Sequence, residues 1–153
     1  MNVNFQLLPE AVAAARLETK QSVLECVSDL FASCYDADAS DVLDGLEERE
    51  KLGSTGFGSG VAIPHARSAA VKRPVAVLLR LQNAVDFAAA DGMPVELVFG
   101  LLSPEDAGAA HLHALAAISR LIRDDNTLEA LIDAPNPEAM YAVLASQLER
   151  DAA

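Results

Sequence analysis

The chain is short of cations, of cysteine and of long apolar runs, and each shortage removes a class of function. Lysine and arginine total 11 against 23 aspartates and glutamates, a formal net charge of −12. Nucleic-acid binding rests on neutralising phosphates with basic side chains, so this balance disfavours it and favours a basic partner protein. The two cysteines, Cys26 and Cys34, fall eight apart in a helical pattern. That spacing separates them by ~12 Å along a helix axis, too far for a disulfide, and both are expected as reduced thiols in or near the core. Apolar residues reach 52% of the chain, yet no run of them approaches the ~20 needed to cross a bilayer. No basic-then-apolar leader opens the sequence, and the expectation is a soluble, cytoplasmic protein. At 153 residues the chain fits one domain, over 1–153 with a core of about 7–148, able to bury about two thirds of its unfolded surface.

What is present is concentrated in one stretch, 49–67, which reads R-E-K-L-G-S-T-G-F-G-S-G-V-A-I-P-H-A-R. Its glycines let the backbone take positive φ and approach a ligand, leaving N–H groups free to converge on an anion. Val61, Ala62 and Ile63 form a buried-strand signature, and Pro64 stiffens the exit on which His65 is set. Two of the few cations, Arg49 and Arg67, flank the loop as a local positive island. A nucleotide-binding loop fails because Ser59 and Gly60 stand where lysine and a hydroxyl residue belong. The dinucleotide fingerprint fails on glycine spacing and on order, since Gly56, Gly58 and Gly60 precede a strand. No G-x-S-x-G nucleophile elbow is present. Two readings stay open on these residues alone: a turn ending in a core histidine, or a phosphorylated histidine.

Elsewhere the patterning alternates helix and strand. Residues 1–18 suggest only a short apolar segment around Phe5, Leu7 and Leu8. Thr19 is a candidate N-cap for a helix to about residue 33, with Val23, Leu24, Val27, Leu30 and Phe31 inward. Ser40 is a candidate cap for a second helix to about residue 51, whose last turn holds Arg49. A loop is expected over 66–73, then strands at 74–81 and 95–102, apolar on both faces and so covered on both sides. Helices are expected over 105–124, over 127–132 with Asn126 as cap, and over 137–148. This predicts an α/β fold: a three-layer sandwich with a mixed sheet of about five strands between helices.

His111 and His113 invite a metal reading, but on a helix their rings lie ~200° apart and cannot share an ion. His111 falls in register with Leu115, Ile118 and Ile122, facing inward, and His113 with Ala117, Arg120 and Asp124, facing outward.

The 49–65 string resembles the active-site signature of phosphotransferase-system enzyme IIA domains of the fructose, mannitol and nitrogen-regulatory type. Arg49, Glu50, Ser54, Thr55, Gly58, Gly60, Val61, Ala62, Ile63, Pro64 and His65 all match, and the resemblance continues through D-G-M-P-V-E-L-V-F-G-L-L-S-P at 91–104 and His111-Leu112. It covers about 7–148. Ala66 departs from it, standing where many relatives carry glycine. The resemblance implies that His65 takes a phosphoryl group at Nε2 from an HPr-type carrier. Arg49 and the loop of Ser54, Thr55, Gly56, Gly58 and Gly60 would steady its oxygens, and His111 would bond the phosphoryl group or orient His65. No metal is expected, since the sequence shows no carboxylate cluster placed to hold one, and no cofactor is expected. The acceptor would be either regulated target proteins, as in the stand-alone nitrogen type, or an enzyme IIB cysteine. Phe57, at the loop tip, is a candidate docking residue.

Overall fold

The computed structural model describes residues 4–152, built as six strands and five helices among the described residues. In chain order these are β1 (Gln6–Ala15), α1 (Lys20–Tyr35), α2 (Ala39–Lys51), β2 (Gly56–Gly58), β3 (Val61–Ala62), β4 (His65–Arg67), β5 (Val75–Val85), β6 (Val95–Ser103), α3 (Ala109–Arg123), α4 (Asp125–Asp133) and α5 (Pro137–Ala152). The sheet runs β1-β5-β6-β3-β2, with β4 also paired to β6. It is mixed: β1 is parallel to β5, β5 antiparallel to β6, and β3 and β4 parallel to β6.

Period-two alternation explains why β5 is apolar on both faces over 75–79 and β6 over 97–102. Val75, Val77, Leu79 and Leu81 of β5 face one way, with Val98 and Leu102 of β6, into a core shared with α1 and α2. Ala76 and Leu78, with Leu97, Phe99 and Leu101, face the other way into a second core under α3, α4 and α5. Each strand side is buried by a helical layer, which is the expected three-layer α/β sandwich. Gly100 has no side chain because an added Cβ would stand 2.8 Å from Val77 and 2.9 Å from Val27.

Several local expectations are corrected. The first eighteen residues hold a ten-residue edge strand, β1, rather than a short packed segment. Pro9 and a register shift between Leu7 and Val12 erase its alternation. The Tyr35 hydroxyl bridges the gap, accepting from the Leu8 N–H at 3.0 Å and donating to the Ala76 carbonyl at 2.7 Å. Thr19 caps α1 as expected, in a reciprocal pair with Ser22, but the helix continues to Tyr35. Asp38, not Ser40, caps α2, and Asp124, not Asn126, caps α4. In both cases the residue nearer the preceding turn has the extended backbone that a cap requires. α3 begins at Ala109, after Gly108 at φ 54°, four residues later than expected. The segment after Pro64 is not loop from residue 66, because β4 carries the strand on to Arg67.

Candidate functional site

His65 owes its position to the pairing of 61–67 with β6. Val61 sits opposite Leu97, and His65 opposite Leu101, in one uninterrupted register. Pro64 has no N–H to give, yet its carbonyl still accepts from Leu101 N–H at 3.0 Å, which keeps the strand in line. Residues facing each other in that register share a side of the sheet. His65 therefore points with Leu101 toward α3, and buried Ala66 points to the opposite core. The alanine that departs from the family pattern lies in an extended strand, where glycine's freedom is not required.

The imidazole is held at both nitrogens. Nδ1 lies 2.8 Å from the Ile63 carbonyl, an acceptor with no proton to give, so Nδ1 carries the hydrogen. Nε2 is then a lone pair, and Arg49 Nε–H donates to it at 3.2 Å. Burial, countered in part by the Ile63 bond, and the nearby Arg49 and Arg67 charges hold the ring's pKa below the usual histidine value. A neutral ring that keeps one unprotonated nitrogen is a nucleophile once the arginine N–H moves off it. Arg49 comes from the last turn of α2, and its Nη1 is anchored on the Gly53 carbonyl at 2.8 Å.

The glycine loop is shaped by internal partners. Glu50, one residue from Arg49, accepts from the Thr55 N–H at 3.1 Å and from the Thr55 hydroxyl, and is paired with Lys20 at 2.8 Å. Ser54 donates its hydroxyl to the Phe87 carbonyl and accepts from Gly56 N–H at 3.0 Å. Ser59 N–H is taken by Asp91 at 3.0 Å. The loop donors at Thr55, Gly56 and Ser59 are thus spent inside the protein instead of pointing together at an anion. Gly58 and Gly60, at φ 107° and 80°, make the reversal from β2 to β3. Gly56 lies so close to Ala89 that an added Cβ would come within 2.6 Å. Arg49, Ser54, Thr55, Gly56 and Phe57, together with Ile63 and His65, line an open depression of about 270 Å3, closed on one side by Leu115 and Ser119 of α3.

α3 brings His111 to the same place, its ring centre 5.4 Å from that of His65. His111 is 6% exposed and its Nδ1 meets the Ser103 hydroxyl at 2.6 Å. Burial, then the Arg67 charge and His65, push its pKa down to about 4. His113 faces solvent, as expected, but Ala117 is buried although the helical register set it on the outer face. Phe57 is 40% exposed, with the Arg123 guanidinium 5.7 Å from its ring centre. Sequence reasoning gave no role to Ser103 or to the Glu50–Lys20 pair; the serine was visible only as a residue of the 91–104 string.

These elements define a mixed α/β protein that presents one uncharged imidazole nitrogen beside a guanidinium, in an open depression. The family model described as phosphoenolpyruvate-dependent sugar phosphotransferase system, EIIA 2, matches residues 7–147, and the chain belongs to that family. A nitrogen regulatory protein of Bradyrhizobium diazoefficiens is 39% identical over 146 residues, covering 95% of each chain. A fructose-specific EIIA component of Haloferax volcanii is 36% identical over 132 residues, 86% of each. The crystal structure of the nitrogen regulatory protein IIA-Ntr from Neisseria meningitidis superposes with a TM-score of 0.83 at 36% identity, over 90% of this chain and 95% of that one.

Proposed function

We propose that the protein is a cytoplasmic phosphocarrier that accepts a phosphoryl group on Nε2 of His65 from an HPr-type phosphohistidine carrier, and acts as a nitrogen-type regulatory enzyme IIA. The observation that carries this reading is the division of labour on the His65 ring, with Nδ1 committed to the Ile63 carbonyl and Nε2 left as the lone pair. In the transfer, that lone pair forms a bond to phosphorus while the N–P bond of the donor breaks. The departing imidazole keeps the electron pair, and each ring retains the proton on its other nitrogen.

Arg49 changes partners in this step. Its Nε–H, now on the His65 lone pair, passes to the phosphoryl oxygens, while the bond from Nη1 to Gly53 keeps the guanidinium in place. The transition state is loose, with charge spread over those oxygens, so positioning and charge stabilisation are the main demands on the site. His111 stands beside the group as a neutral donor. Ser54, Thr55, Gly56, Gly58 and Gly60 act mainly by holding the wall of the depression, since several of their donors are already engaged.

Regulation follows from charge. The phosphoryl group adds up to about two negative charges to a surface where Phe57 and, at 64% exposure, Leu112 offer apolar contact to a partner. A second reading, sugar uptake through an enzyme IIB cysteine, is favoured by the likeness to the fructose-specific component.

The test is transfer of labelled phosphate from an HPr-type carrier, followed by mapping. The expected product is an acid-labile, base-stable label on His65, absent in His65→Ala and kept in His113→Ala. A label elsewhere, or none, overturns the proposal. Rapid passage of the label to a cysteine of a separate fructose- or mannitol-type IIB would move the assignment from regulation to transport.

A further inference from the structure

The last residue of β6, Ser103, is fully buried, and its hydroxyl has one hydrogen-bond partner among those the structure gives, Nδ1 of His111 at 2.6 Å. Two proton arrangements fit that distance. If Nδ1 carried the hydrogen, the serine O–H would have to find another acceptor, and none is present in its bonds. A buried donor left without an acceptor is costly. The arrangement that strands no donor has the serine O–H donating to Nδ1, which puts the imidazole hydrogen of a neutral ring on Nε2.

We infer that Ser103 is a positioning residue: its hydroxyl fixes His111 as the Nε2–H tautomer, so that a neutral ring beside His65 presents a hydrogen-bond donor, and not a lone pair, to the incoming phosphoryl oxygens. The inference deepens the phosphocarrier reading and rests on it for its purpose, though the tautomer itself does not depend on it. Sheet register gives an independent reason for the placement. Ser103 is the partner of Arg67 as Leu101 is of His65, so Ser103 lies on the side of the sheet that His65 faces, under α3. The two histidines then have opposite arrangements: His65 is held through its Nδ1–H by a carbonyl and offers a lone pair, and His111 is held at Nδ1 by a hydroxyl and offers a hydrogen. The two complement each other in phosphoryl transfer, the lone pair bonding phosphorus and the N–H steadying its oxygens. A lone pair on His111 would repel the phosphoryl oxygens that the Nε2–H attracts. Burial keeps His111 uncharged at neutral pH, so the direction of its single hydrogen decides what it contributes.

The experiment has two readouts. Nitrogen-15 NMR of imidazole-labelled protein at pH 7 reads the tautomer directly. The inference expects a pyrrole-type Nε2 and a pyridine-type Nδ1 on His111 in the unmutated protein, and the reverse assignment overturns it whether or not Ser103 variants fold. Single-turnover transfer from a phosphorylated HPr-type carrier is then compared in Ser103→Ala, Ser103→Thr, His111→Ala and the Ser103→Ala/His111→Ala double variant. Ser103→Ala should slow transfer about 5- to 10-fold, the worth of one buried hydrogen bond. Ser103→Thr, which keeps the hydroxyl, should restore most of the rate. In the His111→Ala background, Ser103→Ala should change nothing further. An equal loss in both backgrounds, or a Ser103→Ala variant with unchanged rate and unchanged tautomer, overturns the positioning role. If no phosphate reaches His65 in any variant, the phosphocarrier reading fails while the NMR assignment still decides the tautomer.

Discussion

At the residue scale, the proposed role of Arg49 rests on a geometry that another cation cannot copy. Arg49 binds His65 Nε2 with one nitrogen while another is pinned to the Gly53 carbonyl. A planar fork can do both at once, whereas an ammonium is a point charge on a flexible stem. Arg49→Lys is therefore expected to fold with an unchanged denaturation midpoint, since the side chain lies at the surface of the depression. Its single-turnover transfer should fall about 10- to 100-fold, the loss of a charged hydrogen bond worth about 1.5–3 kcal/mol. Rapid-quench measurement of phosphate on His65 checks this, and an undiminished rate would remove Arg49 from the site.

At the scale of elements, the glycine loop is tied down by α1, α2 and the segment after β5. Lys20 at the start of α1 pairs with Glu50 near the end of α2, Glu50 holds the Thr55 N–H and hydroxyl, and Ser54 is fastened to the Phe87 carbonyl. The Glu50 side chain is only 6% exposed, so its oxygens are satisfied by these partners and not by solvent. Glu50→Ala is expected to cost about 2–3 kcal/mol, the scale of lost hydrogen bonds to a charged group. It should also release the Thr55 amide to fast hydrogen exchange while amides of β5 and β6 stay protected. Urea unfolding and amide exchange measure the two effects. If Thr55 stays protected, the carboxylate is not what orders the loop.

For the whole molecule, both site histidines couple stability to pH in one direction. His111 has a folded-state pKa of about 4, and that of His65 is also lowered, against about 6.5 for an unfolded chain. Below pH 6.5 the unfolded state binds more protons, so stability rises with pH in that range. The contribution is complete above pH 6.5 and drains away as pH falls toward 4. Urea midpoints compared at pH 7 and pH 4.5 should fall less in His111→Gln than in the unmutated protein, because other acid-sensitive groups are common to both. Equal falls would place the imidazole in a wetter environment than its burial indicates.

How much of this was legible depends on how local each cause is. Continuous apolar runs marked β5 and β6, the 3.6-residue repeat marked the helices, and the 49–65 string marked Arg49 and His65, because each signal lies within one stretch of chain. β1 was hidden, since its alternation is broken by Pro9 and its bulge is completed by Tyr35, 27 residues beyond Leu8. The sequence alone therefore determined the layers and singled out Arg49 and His65, which the fold brings within 3.2 Å of each other. Only the tertiary structure decided which nitrogen of each imidazole carries the hydrogen, and that the loop's donors at Thr55, Gly56 and Ser59 are engaged within the protein. A proton's place on a ring is set by whatever acceptor or hydroxyl the fold brings within 3 Å of it, and for His111 that partner comes from a different element, β6.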